Sequence, residues 1–561
     1  MNTWFAQTDA VGGSLGLSAL VACLPLLAFF IMLLGVKARA HIAGLTSLGV
    51  AIIVAVIGFG MPADLAFMSA LRGGLYGAFP IVWVILMAIW FYQITVLSGR
   101  FEDLRRTFDA IGGGDLRIQA ILIAFCFGGL LEALAGFGAP VAITATMILA
   151  LGVKPLKAAV TVLIANTAPV AFGAVAIPIT TAGEVGGKDA TVIGAIVGHQ
   201  APFLAFFVPL ILLFILDGVK GVKDAWVPAV VIGFSFGVAQ WLTATYFVYQ
   251  LTDVVACIVS LGVAVAFLRV WKPRGIAGVR ERYGLPPLEE NAKSELTGMR
   301  VWMALMPYAV VVLVFGIANL ATPVVTWLKS TNLVIKMPLL EDRLVNSAGE
   351  HVKSAYSFAW LNNPGSFLLF AGLIVAVLYM VFNENNRYAL SFGDVVKEIG
   401  ITAYRMRFSA LTIVTVLALA YVMNFSGQTV AMGAFVAGLG PIYAFLAPSL
   451  GWIGTAVTGS DTSANALFSK LQVAAANNLA HQGITGVTPE LLLAANTSGG
   501  VVGKMISPQS LAIAATSVDM EGKESEIFKS VLPWSVAMLV TVCTLVFLQT
   551  NILHFLIEIH H

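Results

Sequence analysis

The chain is 561 residues long, and its 31 Lys and Arg against 29 Asp and Glu leave a formal charge of only +2. With 59% hydrophobic and 11% charged residues and a mean hydropathy of +0.92, it is too apolar for a soluble globular protein. No basic run is dense enough for nucleic acid, so the first expected partner is a lipid bilayer crossed many times.

Met1 to Gly13 carries no Lys or Arg, so the first apolar segment lacks the charged start of a cleavable signal and is retained. That segment, 15–36, ends at Lys37 and Arg39, which mark a cytoplasmic turn and place the amino terminus outside. Segments 41–60 and 73–97 follow, and Arg100, Arg105, Arg106 and Arg117 bring the chain back inside. The longest basic loop, 272–300, is also cytoplasmic. Counting back from it through spans 253–271, 227–249, 192–216 and 157–182 places Lys220, Lys223, Lys154 and Lys157 inside.

Arg117 and Lys154 then lie on one side, although 118–151 between them is apolar and longer than the roughly 20 residues a bilayer needs. A re-entrant helical hairpin satisfies both conditions. Its tip is EALAGFGAP, where Gly136, Gly138 and Pro140 break the helix beside Glu132. The four cysteines, Cys23, Cys126, Cys257 and Cys543, stand singly in apolar segments and read as inert packing thiols. No metal or other cofactor is expected.

The second half repeats this plan in the opposite sense. After span 301–321 comes a hydrophilic external insertion, 322–365, read as a surface cover or a subunit contact, which keeps a homo-oligomer among the expected assemblies. Span 366–382 leads to Arg387, Lys397, Arg405 and Arg407 inside, 408–424 runs outward, and 421–440 lies along the outer surface as 101–111 does along the inner one. A second hairpin, 441–476, carries Asp461 in its tip, TGSDTSANA, about where the first carries Glu132. A polar-interrupted segment, 490–515, then runs inward to Lys523 and Lys529, and span 531–555 leaves the carboxyl terminus outside.

The interrupted segments are twins. At an offset of 330, Ala165, Asn166, Thr167, Gly173 and Pro178 fall on Ala495, Asn496, Thr497, Gly503 and Pro508. Breaks are expected near Asn166 and across Asn496 to Gly503, because unpaired backbone groups survive in a membrane only where protein or a water-filled cavity receives them. Paired broken helices of this kind mark the binding site of an inverted-repeat transporter. The expected class is an all-α polytopic membrane protein: an N-terminal pair 1–72, repeat one 73–216 (hairpin 118–151, broken helix 157–182), connecting helices 217–404, and repeat two 405–555 (hairpin 441–476, broken helix 490–515).

The runs LLEALAGFGAPVAI, NTAPVAFGAVAIP, TGSDTSANALF, ANTSGGVVGKMISPQS and GKESEIF resemble signature segments of the bacterial L-lactate permease family, and the resemblance extends over nearly the whole chain. It implies a secondary transporter, not an enzyme, taking up L-lactate, D-lactate, glycolate and related 2-hydroxymonocarboxylates with protons across a bacterial cytoplasmic membrane.

Such a substrate offers one carboxylate and a neighbouring hydroxyl. Half-helix N-termini just after Asn166 and Asn496 would supply N–H groups and positive dipole ends. Thr167, Thr497, Ser498, Ser460 and the two asparagine amides, with backbone at Gly136 and Gly138, complete the expected substrate site; caps and helix packing are the competing reading of the same residues. Lys504, whose twin is Ala174, reads either as the cation for the carboxylate or as a lysine reaching to headgroups. Glu132 and Asp461 are the candidate proton carriers, since a low-dielectric tip favours a neutral carboxyl; helix capping competes for each. Oxygens at 458–463 keep a sodium-coupled carboxylate carrier open as the alternative. An enzyme of lipid substrates or a channel fits less well, because no HExxH, CxxC or paired aspartate motif is present and a channel has no need of two inverted hairpins. His199, Gln200, Arg72 and Asp217 read as packing or interfacial residues.

Overall fold

The computed structural model describes residues 3–111, 114–134, 139–271, 273–285, 297–345, 351, 354–384 and 386–557. Among them, eleven helices are long and apolar enough to cross a membrane, and the fold is the expected all-α polytopic one. The first two spans, Leu15–Leu33 and Ala40–Gly58, are antiparallel neighbours joined at Lys37 (φ 57°). The third helix, Ala63–Leu97, starts ten residues earlier than the hydropathy suggests and bends at Phe79. Its added turns hold Arg72, whose guanidinium donates to the carbonyls of Ser354 and Ala355 and pairs with Glu184 at 3.3 Å. The insertion therefore acts as a cap on this end of the third helix. It also pairs strand Leu333–Ile335 with Tyr356–Phe358, and Leu344–Val345 with Trp4–Phe5 near the amino terminus.

The first hairpin consists of Leu116–Leu134 and Ala139–Ala150. In the first arm 94% of residues are buried, against 33–56% in the other candidate spans, so this arm is surrounded by protein rather than lipid. Asp115 caps it by accepting from the backbone of Arg117 and Ile118. Groups that charge counting places on one side do meet: Arg117 pairs with Asp115 at 2.8 Å and Asp217 at 3.2 Å, Arg282 joins Asp217 at 2.6 Å, and Lys157 donates to the Leu216 carbonyl. At the other end, Lys188 pairs with Glu490 at 2.9 Å.

Helix Ala190–Tyr246 is far longer than a bilayer and is divided at Gly218 (φ 65°, ψ −154°) and Ala225. Spans Tyr249–Val270, Gly298–Leu320, Pro364–Val381 and Phe392–Phe425 follow. The second hairpin pairs Tyr443–Thr458 with Asp461–His481. Gly459 turns the tip with φ 75°, and Ser460 caps the second arm by accepting from the Ser463 N–H at 3.2 Å.

The twin segments depart from expectation in an informative way. The first is broken after Asn166 as anticipated: Pro155–Ala165 and Val170–Gly186 meet at 60°. The second is not broken at Asn496 to Gly503; helix Pro489–Gly503 runs through that stretch, and the break falls at Lys504–Ile506 before Pro508–Ser517. The expected half-helix N-terminus just after Asn496 is therefore absent, and the one that exists begins at Ser507. The glycines serve close approach instead. A Cβ on Gly499 would lie 1.9 Å from the Pro448 carbonyl, one on Gly500 1.9 Å from Asp461 Oδ1, and one on Gly451 1.8 Å from the Asn496 carbonyl. Helix Pro489–Gly503 and the first arm of the second hairpin thus touch backbone to backbone, as membrane helices do where small residues face each other.

The duplication still marks matched irregularities. Positions 504–506 correspond to 174–176, and there Ala174, Val175 and Ala176 adopt left-handed φ values of 44°, 60° and 57°. Left-handed backbone costs non-glycine residues roughly 1–2 kcal/mol each. Both segments are therefore irregular just before the twin prolines, Pro178 and Pro508.

Candidate functional site

These two irregular stretches and the two hairpins converge on one cavity. It is lined by Glu132 from the first hairpin, Gly173 and Ala174 from the first broken segment, Ser460 and Asp461 from the second hairpin, and Lys504 and Gln509 from the second broken segment. The space open to water centres is about 40 Å³, enough for ordered water between polar walls. Each repeat contributes one hairpin acid, and only the second contributes a base.

Lys504 Nζ donates to Glu132 Oε1 at 2.5 Å, and both side chains are buried. Lys504 is therefore not extended toward headgroups. The pair forms because Gly173 stands beside it without a side chain, where a Cβ would lie 2.9 Å from Glu132 Oε1. Asp461 Oδ1 accepts from the Thr455 hydroxyl at 3.4 Å and also feels the charge of Lys504. Glu132 Oε2 and Asp461 Oδ2 have no partner among the described residues. Buried polar atoms are normally satisfied, so two open acceptors next to one cavity suggest groups that exchange partners.

The half-helix Pro508–Ser517 begins at this cavity, with Ser507 accepting from the Ser510 N–H at 3.2 Å and Gln509 and Ser510 on the wall. Asn166 and Thr167 line a smaller adjoining cleft together with Lys504 and Ser510, and Asn166 Oδ1 is unpartnered. Asn496, Thr497 and Ser498 line neither space. Asn496 donates to Asn465 Oδ1 at 2.9 Å and accepts from Gln472, Thr497 donates to the same Asn465 oxygen, and Asn465 donates to the Pro178 carbonyl. Ser498 donates to Gln200 Oε1 at 2.6 Å. These residues tie the repeats together behind the cavity. Gly136 and Gly138 lie outside the described residues.

Sequence reasoning missed Asp253. It is fully buried, accepts from Gln240 Nε2 at 2.9 Å through Oδ1, and leaves Oδ2 without a partner. Gln240 also donates to the carbonyl of Ala168, within the first break. Asp253 stands at the start of an apolar span, where an acid draws no notice; the available signal was Gln240, a lone amide in the apolar run GVAQWL. His199 takes a packing role, accepting from Trp241 Nε1 at 2.9 Å.

A sequence model of the family described as L-lactate permease matches residues 18–553. The L-lactate permease of Bacillus subtilis is 37% identical over 99% of this chain and 100% of its own length. The glycolate permease GlcA of Escherichia coli is 39% identical over 94% of this chain and 95% of its own. Among solved structures, the YdaH transporter of Alcanivorax borkumensis aligns with 84% of this chain and 98% of its own at 14% identity and a TM-score of 0.34, a likeness too low to argue from.

Proposed function

Because the chain belongs to the L-lactate permease family, we propose that it imports L-lactate and related 2-hydroxymonocarboxylates, D-lactate and glycolate among them, by proton symport across a bacterial inner membrane. The observation that carries this reading is the buried ion pair between Glu132 and Lys504, which spans a cavity built from both repeats.

The pair is neutral as a unit. A lactate carboxylate that takes Lys504 from Glu132 leaves the glutamate as an unpaired buried anion, and breaking a buried pair costs about 3–5 kcal/mol. Protonation of Glu132 removes that penalty. Lactate and one proton therefore enter the site together with no net charge added, and this mutual dependence of the two binding events is what couples them. Asp461 is the second candidate proton carrier, and with the hydroxyls of Ser460, Thr462 and Ser510 it offers partners for the substrate hydroxyl. The start of helix Pro508–Ser517 adds a positive dipole end for the carboxylate.

Proteoliposomes given radiolabelled L-lactate and an inward proton gradient test this directly. Uphill uptake without sodium, abolished when the pH gradient is collapsed, is the expected result. Uptake that requires sodium and ignores the proton gradient would replace the proton by a sodium ion.

A further inference from the structure

A second and much larger cavity, about 920 Å³, opens beside Lys37 and Arg39. Its wall includes Lys37, Arg39, His41, Phe408, Thr458 and Gln509. Three separate parts of the chain meet there: the turn between the first two spans, the helix Phe392–Phe425, and the second hairpin tip against the start of Pro508–Ser517. No acidic residue lines it, and neither Lys37 nor Arg39 has an ion-pair partner among the described residues. His41 stacks on Phe408 with ring centres 4.8 Å apart. The general bias toward Lys and Arg on the inner face accounts for their presence in a turn. It does not account for that turn lining one cavity with a hairpin tip.

The inner wall of this vestibule is Gln509, which also lines the cavity of Glu132 and Lys504. Its Oε1 lies 2.6 Å from where a Cβ on Gly459 would stand, so the glycine is needed there both for its positive φ and for the space. One uncharged side chain resting on a hairpin tip thus separates a cationic vestibule from an ion-paired cavity.

We propose that the vestibule is a second carboxylate-binding station, held by Lys37 and Arg39, and that Gln509 closing against Gly459 is the gate between it and the central cavity. The proposal rests on the reading of the central cavity as a carboxylate site. Lys37 and Arg39 are exposed, and two unopposed cations lining a concave wall raise the local anion concentration by about tenfold or more. Screening confines their reach to roughly 8–10 Å, so the station collects anions already inside the vestibule. The Gln509 amide, unlike a charged gate, can donate a hydrogen bond to a passing carboxylate without trapping it.

The test uses full-length protein in inside-out vesicles, with labelling of the four native cysteines subtracted. A thiol introduced by Thr412→Cys in the vestibule wall should react about tenfold faster with an anionic than with a cationic membrane-impermeant thiosulfonate, relative to a free thiol. That preference should vanish with Lys37→Gln and Arg39→Gln together, and in high salt. Lactate should slow the labelling even in a Lys504→Gln background, which removes the central cation; this separates failure of the station from failure of the central site. For the gate, a thiol introduced by Ser460→Cys should label severalfold faster when Gln509→Ala is added. The station is overturned if the charge preference is absent, if it survives loss of both cations, or if lactate protection disappears with Lys504→Gln. The gate is overturned if Gln509→Ala leaves the labelling rate unchanged.

Discussion

The Glu132 and Lys504 pair makes opposite predictions for its two halves. In Lys504→Gln the cavity keeps its shape but loses the ammonium that would meet the substrate carboxylate. A hydrogen bond to a charged group contributes about 1.5–3 kcal/mol, so the dissociation constant for lactate should rise roughly 10- to 150-fold at 1.4 kcal/mol per decade. In Glu132→Gln the ammonium remains, and the one anion that pairs with it among the described residues is gone. An uncompensated buried charge costs about 3–5 kcal/mol, and bound lactate can supply the missing anion. Glu132→Gln should therefore be less heat-stable than the parent without substrate, gain more in melting temperature from lactate, and bind it with little dependence on pH. It should exchange labelled lactate in counterflow yet fail to accumulate it uphill, because the neutral amide has no proton to bind or release. Binding, melting temperature, counterflow and uphill uptake can all be measured on the same preparations. Uphill accumulation by Glu132→Gln at the parent level, or parent-like affinity in Lys504→Gln, would refute the charge-exchange argument.

Three further outcomes follow from the packing around the cavity. Gly500→Ala should destabilise the protein by about 1–3 kcal/mol through overpacking, since the added methyl meets Asp461 Oδ1; a thermal-melt series in detergent reads this directly, and an unchanged melt would show that the contact is loose. Asp253→Asn should retain transport, because an amide oxygen still accepts from Gln240, whereas Asp253→Ala leaves the amide of Gln240 short of a partner and should lower both stability and uptake; equal loss in the two variants would assign Asp253 a proton-carrying role instead. Asn496→Ala should lower the melting temperature more than it changes lactate affinity, and Asn166→Ala should do the reverse, because the first is bound into a side-chain network and the second faces the cleft beside Lys504. Equal affinity losses would place both asparagines on the substrate.

The membrane class, the hairpins and the matched twin segments were legible because bilayer length, charge bias and backbone satisfaction leave few alternatives. Charge parity pointed to a turn near Glu132, and the internal repeat, not parity, pointed to the matching turn beside Asp461, which opens helix Asp461–His481 after Gly459. The exact break in the second segment was not legible, because glycine has two uses that look alike in sequence. Gly499, Gly500 and Gly503 appeared to interrupt a helix, yet they allow the helix to meet the Pro448 carbonyl, Asp461 and the Trp452 carbonyl. Which use applies depends on what packs alongside, and that neighbour, the first arm of the second hairpin, lies about fifty residues earlier in the chain. The pairing of Lys504 with Glu132 spans 372 residues, so no local pattern could announce it. Asp253 was hidden for a related reason: its partner Gln240 is near in sequence, but the break that Gln240 reaches, at Ala168, lies 72 residues earlier in the first repeat.

The two repeats supply matched acids and matched irregular backbone, but a single base, and this asymmetry leads to a further test. Lys504 corresponds to Ala174, which lines the same cavity next to Gly173 and so also lies near Glu132. If the site needs only one compact ammonium within reach of Glu132 and the cavity, its position in the first or second repeat is secondary. Ala174→Lys combined with Lys504→Ala moves the charge across the pseudo-symmetry while keeping the total charge constant. The left-handed backbone at 174 is already borne by a side chain with a Cβ, so lysine adds little backbone strain there. Charge count alone then predicts that the double variant recovers a large share of the lactate binding lost in Lys504→Ala, measured as the dissociation constant. Transport need not recover equally, because Lys504 also adjoins the half-helix that begins at Ser507 and Ala174 does not. A double variant that binds lactate no better than Lys504→Ala would show that the carboxylate site is fixed by the break at Lys504–Ile506 and not by the ion pair alone.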